Sequence, residues 1–553
     1  MLKEITSKKP NKKIILLGND AIVRGALEAG VQFVSTFPGT PASEIGNTFY
    51  QIQNSEYKIR NLHFEYSVNE KVAMEAGIGA SFSGLKTLVA MKHFGVNVCS
   101  DALLPFLYTG SKGPTVIAVS DDPNCWSSAQ SEQNSRIYSY LAHLPTLEPS
   151  DSQECKDFTK IAFKISEKFK IPVMVRLTTR VSHQRMPVKL SNLPKFNSKG
   201  VFVKDVEKLV TMPPRVLKMK DKLLEKVGKI KKFSEKLKIV REESPSNNKL
   251  GLITSGISYL YLKEALQELK LDIPILKLGI FYPLPEKKIE KFIKNKNRVF
   301  VLEELEPCLE KEINILAKEV NPNLKVIGKD LLPETGEFKP EMIINALAEF
   351  AGVKYKEPKS KTKVPSVKHI PQLCPGCPYW LIFNAVKRAV DEKKVIFGGD
   401  IGCYMLGGLP PHNLQDYLSC MGASIGIAHG IKKSTKNQKL IAFIGDGTFF
   451  HAGIPALINT VFNNSNPLII VTDNRITAMT GHQPNPGADN VTQRIKIEDI
   501  VRACGVKNLK VIDPAKQKEF IKTIKNFINK KEVSVIIARR PCVFLKRKNE
   551  TKK

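Results

Sequence analysis

Gly445-Asp446-Gly447, with Asn474 farther along the chain, constrains this sequence more than any other feature. The stretch reads GDGTFFHAGIPALINTVFNNSNPLIIVTDN. An apolar run at 440–444 leads into the acidic turn. A helical pattern runs from Ile454 to Val461, and a second apolar run at 467–471 leads into Asp473-Asn474. This order predicts strand, turn, helix, strand, with oxygen-bearing side chains at the carboxyl ends of both strands. In open α/β sheets that edge is where ligands bind. Asp and Asn there, with glycines that let the backbone approach closely, suit a hard cation holding a diphosphate.

At 553 residues the chain exceeds what one core can organise, which predicts three or four domains. No apolar stretch reaches the ~18 residues of a membrane span. The basic N-terminus runs into a strand, a Gly-Asn turn and an amphipathic helix, IILLGNDAIVRGALEAG, rather than a signal-peptide core. A cytoplasmic protein without membrane partners is the expectation. The net charge of +31 points either to nucleic acid or an acidic partner, or to lysines spread over solvated faces. Lysines recur in every segment without interleaved aromatics, which favours the second and predicts no nucleic-acid partner. The densest basic run, 217–241, carries helical spacing of Leu, Val, Ile and Phe and reads as an exposed connecting helix. It also offers a face for acidic ferredoxin or a partner subunit.

The ten cysteines are scattered and suggest no disulfide framework. Only Cys374 and Cys377 form a CxxC, and the four-Cys ligand run of an iron–sulfur cluster is absent. Without a second CxxC or a His pair, CPGCP reads as a turn. Alternating strand and helix patterns, with strands at 14–17, 32–36, 87–91, 114–119 and 172–176, predict a parallel doubly wound sheet. A second α/β pattern runs from Lys249 to about Ala351, a Lys- and Pro-rich linker follows, and a third α/β unit starts near Leu373. The fold class is therefore α/β with three doubly wound domains.

The GDG and Asn spacing resembles the thiamine diphosphate (ThDP) motif. In that motif the Asp, the Asn and a main-chain carbonyl two residues on bind Mg2+, which bridges to the diphosphate. The resemblance implies Asp446, Asn474 and the carbonyl of Ile476 as metal ligands. ThDP chemistry also needs a carboxyl group beside N1′ of the aminopyrimidine, so that the cofactor's own amino group can take the C2 proton. Within EYSVNEKVAMEAGIGASFSG, Glu65, Glu70 and Glu75 are candidates from the residues alone, and a helix N-terminal carboxylate is an alternative role for Glu70. In 2-oxoacid:ferredoxin oxidoreductases the activating Glu lies nine residues before the Gly of a small-residue GA pair. That resemblance selects Glu70, nine before Gly79.

The chain is similar to the large subunit family of indolepyruvate-type ferredoxin oxidoreductases through nearly its whole length. The stretches are LLGNDAIVRGALEAG, TFPGTPASEI, SVNEKVAMEAGIGAS, VRLTTRVSH, EELEP, CPGCP, DIGCYMLG and DNRITAMTGHQPNPG, in the same order. The resemblance implies a ThDP-binding fold. It assigns residues 1–195 to a pyrimidine domain, 196–248 to a basic helical connector and 249–353 to a transketolase C-terminal-like domain. A linker at 354–372 and a diphosphate domain at 373–553 complete it. It implies Thr40, in the PGTP turn, as a contact to the substrate carboxylate, though turn chemistry alone also explains a Thr there. Lys92, beside His93 in MKHFGVN, is implied either as a counter-charge to that carboxylate or as the group that holds enolate charge. Gly402, Cys403, Met421, Gly422, Gly445 and Gly447 are implied to line the ThDP cleft, with Met421 the wall under the thiazolium. Thr448 is implied to bind diphosphate oxygen, and His451 either does the same or caps its helix.

Family members continue past an ARRPC-like strand into a domain carrying two [4Fe–4S] clusters, whereas here ARRPC (538–542) is followed by VFLKRKNETKK. The clusters are therefore expected on a partner, not on this chain. The implied reaction is oxidative decarboxylation of an aryl 2-oxo acid to acyl-CoA, with electrons passed to ferredoxin. The expected partners are a smaller beta-type subunit and a second copy of this chain. Non-oxidative decarboxylation is the first alternative. A non-catalytic binding subunit is the second, and the intact Asp446, Asn474 and Glu70 speak against it.

Overall fold

The computed structural model describes residues 1–195, 200–244, 248–357, 371–435 and 438–545. The chain forms two compact units, Met1–Ser360 and Lys361–Lys553. Most of the predicted linker, 358–370, lies outside the described residues. Among those residues no helix is long and apolar enough to cross a membrane.

The first unit holds a seven-stranded sheet. Its spatial order is Ile280–Tyr282, Thr146–Leu147, Val173–Thr178, Thr115–Asp121, Thr87–Lys92, Phe33–Thr36, His63–Tyr66. Every pairing is parallel except that of the outermost strand, Ile280–Tyr282. The central strand TVIAVSD is buried along its whole length, as a strand covered by helices on both faces must be. The helix Glu70–Phe82 lies directly on the sheet. Its N-cap is Asn69, whose side chain accepts from the amide of Val72. A Cβ at Gly77 would stand 2.6 Å from a Val89 methyl, so a small residue is needed at that crossing.

The predicted 14–17 strand exists, as Lys13–Leu17, but not in this sheet. It pairs antiparallel with Arg185–Lys189 in a two-stranded ribbon. Ile15 remains 66 % exposed, an alternation that a strand buried on both faces would not show. His63–Tyr66 takes the edge position instead.

A second sheet of the same unit has the order Lys325–Ile327, Arg298–Leu302, Leu250–Thr254, Ile275–Leu278, Val240–Glu243, parallel except for the last. Buried ions join the two sheets. Arg136 donates to Glu148 at 2.7 and 2.6 Å and to Glu303 at 2.5 Å. Arg176 donates to Asp121 at 2.7 Å and to Glu148 at 2.9 Å. Such pairs hold register because losing one partner strands a buried charge. The basic segment is also less free than predicted. Its helix, Arg215–Ser234, buries Met219, Leu223 and Ile230 against the helices His93–Thr109 and Ser152–Phe169, while Lys218, Lys222, Lys229 and Lys232 are exposed. The apolar spacing that suggested an exposed connector instead marks the stripe that docks.

The second unit is a five-stranded, wholly parallel sheet, Val395–Gly398, Lys439–Gly445, Leu468–Asp473, Ser534–Arg539, Asn508–Ile512. Alternate side chains of Leu468–Asp473 serve opposite faces. Ile470 packs with Phe383 and Phe443, whereas Ile469 and Val471 pack with Ile444 and Phe449. The strand Lys439–Gly445 passes straight into helix at Asp446 without a separate turn. One π turn, Phe449–Gly453, precedes the predicted helix, here Ile454–Phe462. Single π turns of this kind recur at functional sites.

Candidate functional site

In the first unit, Thr40, Glu70, Lys92 and Asp122 all lie at or just beyond the carboxyl ends of sheet strands. The structure brings Thr40 and Lys92 together. A Cβ on Gly39 would be 2.9 Å from that of Lys92. The Lys92 ammonium donates to the Ser127 carbonyl at 2.9 Å, and the Ser127 hydroxyl donates to the Thr40 carbonyl at 3.1 Å. Asp122 organises this group, and nothing in its sequence context marks it. It lies 3.9 Å from Lys92 Nζ and accepts from the Ser127 amide, the Ser127, Ser128 and Thr179 hydroxyls. Burial alone would raise the Asp122 pKa, but these donors and Lys92 hold it below the usual carboxylate range. Burial pushes Lys92 down to about 8, an effect Asp122 only partly offsets. His93 is wholly buried behind it, and burial lowers its pKa.

Glu70 is the first residue of its helix and is 7 % exposed. A Cβ on Gly95 would be 2.6 Å from Glu70 Cγ, so Gly95 is what lets this carboxyl side chain pack against the neighbouring helix.

In the second unit, Gly402, Cys403, Gly445–Thr448 and Asn474–Ile476 likewise follow strand ends at one sheet edge. Asp446, Asn474 and Ile476 are all buried. The Asn474 side-chain oxygen accepts from the Ile476 amide at 3.2 Å, fixing that loop. Asp446 accepts from Gly447 N at 2.8 Å and from Asn485 Nδ2 at 3.1 Å. Burial and then the nearby Asp473 charge raise Asp446 to about 7. A carboxylate, an amide oxygen and a main-chain carbonyl make an all-oxygen donor set that fits a hard divalent cation. Such an ion would also relieve the crowding of Asp446 and Asp473. Among the described residues no group of three or more His, Cys, Asp or Glu converges on a metal position, so any cation here relies on Asn474 and backbone oxygen.

The glycines are steric necessities. Cβ atoms on Gly402 and Gly445 would stand 2.5 and 2.6 Å from the same Tyr404 ring. Gly422 has φ of 90°, and a Cβ there would meet Ala452 at 2.5 Å. Asp400 joins these loops, accepting from Ile401 N and Gly422 N at 2.7 Å and from Ser424 N at 2.9 Å. Met421 is half-buried beside Gly422. The Thr448 hydroxyl donates to the Ile401 carbonyl at 2.9 Å. The ARRPC segment clamps the Asn474 loop. Arg539 Nε reaches Asp473 at 2.6 Å, Arg540 N donates to the Asp473 carbonyl, and Cys542 N donates to the Asn474 carbonyl.

CPGCP forms the predicted turn, with Cys377 N donating to the Cys374 carbonyl at 3.0 Å. Its thiols neighbour Cys403 and Cys542. Cys403 is pushed up to about 12 by burial and then by Cys377, Cys542 and Cys374, and Cys377 is pushed up to about 11 in the same way. That grouping across three distant segments has no sequence signature. Asp400 and Asn485 were visible only as unexplained letters within DIGCYMLG and HQPNPG.

Comparison with known proteins identifies the family. Residues 400–538 match the family described as thiamine pyrophosphate enzyme, C-terminal TPP binding domain. Residues 24–219 match that described as pyruvate flavodoxin/ferredoxin oxidoreductase, thiamine diP-bdg. A relative from Methanothermobacter thermautotrophicus, indolepyruvate oxidoreductase subunit IorA, is 41 % identical over 98 % of this chain and 89 % of its own length. The Pyrococcus horikoshii protein of the same name is 42 % identical over 97 % of this chain and 86 % of its own. The 2-oxoglutarate:ferredoxin oxidoreductase of Magnetococcus marinus, solved with 2-oxoglutarate, coenzyme A and succinyl-CoA bound, has the same fold. Its TM-score is 0.50 at 18 % identity, over 61 % of this chain and 65 % of that one. The chain belongs to the indolepyruvate oxidoreductase IorA family of ThDP-binding 2-oxoacid oxidoreductases.

Proposed function

We propose that this chain is the ThDP-bearing subunit of a cytoplasmic enzyme that oxidises an aryl 2-oxo acid. With coenzyme A the products are acyl-CoA and CO2, and two electrons pass one at a time to ferredoxin through [4Fe–4S] clusters on a smaller beta-type subunit. Two copies of this chain complete the assembly. The observation that carries the reading is near-full-length identity of about 40 % to relatives named indolepyruvate oxidoreductase, and the burial of Asp446, Asn474 and Ile476 at the ends of two paired strands supports it.

When bound, ThDP supplies the carbanion-stabilising chemistry. The chain's own part is placement and protonation. Asp446, Asn474 and the Ile476 carbonyl would hold Mg2+, and Thr448 and Gly447 would bind the diphosphate. Gly402, Cys403, Gly422 and Gly445 keep the cleft narrow, and Met421 forms its apolar wall. Glu70 keeps a proton at N1′ of the aminopyrimidine. Thr40 and Lys92, held by Ser127 and Asp122, receive the substrate carboxylate.

Purified enzyme containing both subunits should reduce a viologen dye when given an arylpyruvate and coenzyme A. Aldehyde release without dye reduction would replace this reading with a non-oxidative decarboxylase. Lys92 adds a pH test. Its ammonium is charged below about pH 8, so KM for the 2-oxo acid should rise as pH passes upward through 8. Lys92→Met should raise KM roughly 10–100-fold at pH 7, as loss of a charged partner does, and should flatten that rise. An unchanged profile in the variant would remove Lys92 from carboxylate binding.

A further inference from the structure

We infer that Trp126 is the aromatic wall that receives the side-chain ring of the 2-oxo acid. The inference rests on the aryl-substrate reading above and names the residue that would carry it. Isolated exposed aromatics are ordinary on protein surfaces, but two observations separate Trp126 from them.

The first is immobilisation. Trp126 is 61 % exposed, yet its indole N–H donates to Glu337 at 3.0 Å. Glu337 is itself clamped by Arg180, whose Nε and terminal nitrogen reach it at 2.8 and 2.7 Å. The loop is pinned from a second side, because Glu132 accepts from both Asn124 N at 2.6 Å and Gly336 N at 2.9 Å. The two residues before the indole, Asn124 and Cys125, both adopt positive φ, 68° and 51°. L-residues seldom enter that region, and doing so at two consecutive positions indicates a loop conformation imposed by its surroundings. A free surface loop needs neither the clamp nor the strain.

The second is position. The next residue, Ser127, makes both links of the proposed carboxylate seat: its carbonyl accepts from Lys92 and its hydroxyl donates to the Thr40 carbonyl. The indole therefore stands one residue from the groups that hold one end of an aryl 2-oxo acid. The Arg180 charge beside it is matched by Glu337, so the indole offers a π face rather than another anion site. A rigid indole exposes a large apolar surface at no further ordering cost, which is what a stacking partner for a planar ring requires.

Two measurements test this. In full-length Trp380→Phe protein, Trp126 is the only tryptophan. Its emission should fall saturably with phenyllactate, a non-reacting aryl analogue, and stay unchanged with lactate. In the two-subunit enzyme, Trp126→Ala should raise KM for phenylpyruvate about 10–100-fold, while KM for an aliphatic 2-oxo acid moves far less. Trp126→Phe should recover most of the loss, and it keeps the test open if the alanine variant is unstable. No quenching by phenyllactate, or equal KM changes for both substrate classes, overturns the inference. Quenching by phenyllactate in an enzyme that turns over no arylpyruvate would refute the substrate reading and leave the ring-binding role of Trp126 standing.

Discussion

Asp446→Ala protein should lose Mg2+-dependent ThDP binding, with affinity falling by more than about 100-fold. Outer-shell partners of a metal site typically contribute 10–100-fold, and a direct carboxylate ligand should exceed them. A 100-fold loss corresponds to about 2.7 kcal/mol. Isothermal calorimetry with and without Mg2+ measures it, and wild-type affinity in the variant would contradict the assignment. The raised pKa sharpens the test. Asp446 sits at about 7 because burial and Asp473 both oppose its charge. A ligand must shed its proton before it can bind metal. Wild-type affinity should therefore climb as pH rises toward 7 and level off above it, and Asp446→Asn should lose that climb. The apoprotein should show the opposite trend. A carboxyl whose folded pKa is raised contributes stability that is present below its unfolded pKa, near 4, and is lost as pH rises through 7. Mg2+ and ThDP should accordingly produce a larger thermal upshift at pH 8 than at pH 5.

How much of this was legible in the sequence depends on what kind of partner each residue has. Asp446 and Asn474 end two apolar runs of a βαβ unit, and local periodicity places both at one sheet edge. The strand at Lys13–Leu17 was equally legible as a strand, but its antiparallel mate Arg185–Lys189 is remote, and periodicity reports burial without naming the neighbour. The basic helix Arg215–Ser234 shows the same limit. Its apolar stripe was visible, whereas the surface that stripe covers was not. Asp400, Asp122 and Asn485 escaped notice because their partners come from other loops. Asp400 binds Gly422 N and Ser424 N, and Asp122 binds Ser127, Ser128 and Thr179. A lone Asp in a loop carries no spacing that predicts such partners. ARRPC changes meaning as well. In sequence it only marked where family members continue, and in the fold it fastens the loop that presents Asn474 and Ile476.

Glu70→Ala should leave Mg2+-ThDP binding nearly intact while slowing solvent exchange of the cofactor's C2 hydrogen by about 10²–10⁴-fold, the usual span for a general acid–base group. Glu70 is 7 % exposed and packs at Gly95 in the first turn of the adjacent helix. The rival explanation is structural: Glu70 opens the helix Glu70–Phe82, where a negative side chain favours the positive end of the helix dipole by about 0.3–1 kcal/mol. The two roles separate cleanly. A helix-terminal carboxylate predicts a small drop in Tm for Glu70→Ala and normal C2 exchange, because nothing at the cofactor has changed. A proton-holding carboxyl predicts near-normal Tm for Glu70→Gln, which keeps the shape of the side chain, and exchange as slow as in the alanine variant. Deuterium incorporation at C2, followed by acid quench and proton NMR, reads the difference directly. Undiminished exchange in both variants would leave Glu70 as a helix terminus and return the choice to Glu65 and Glu75.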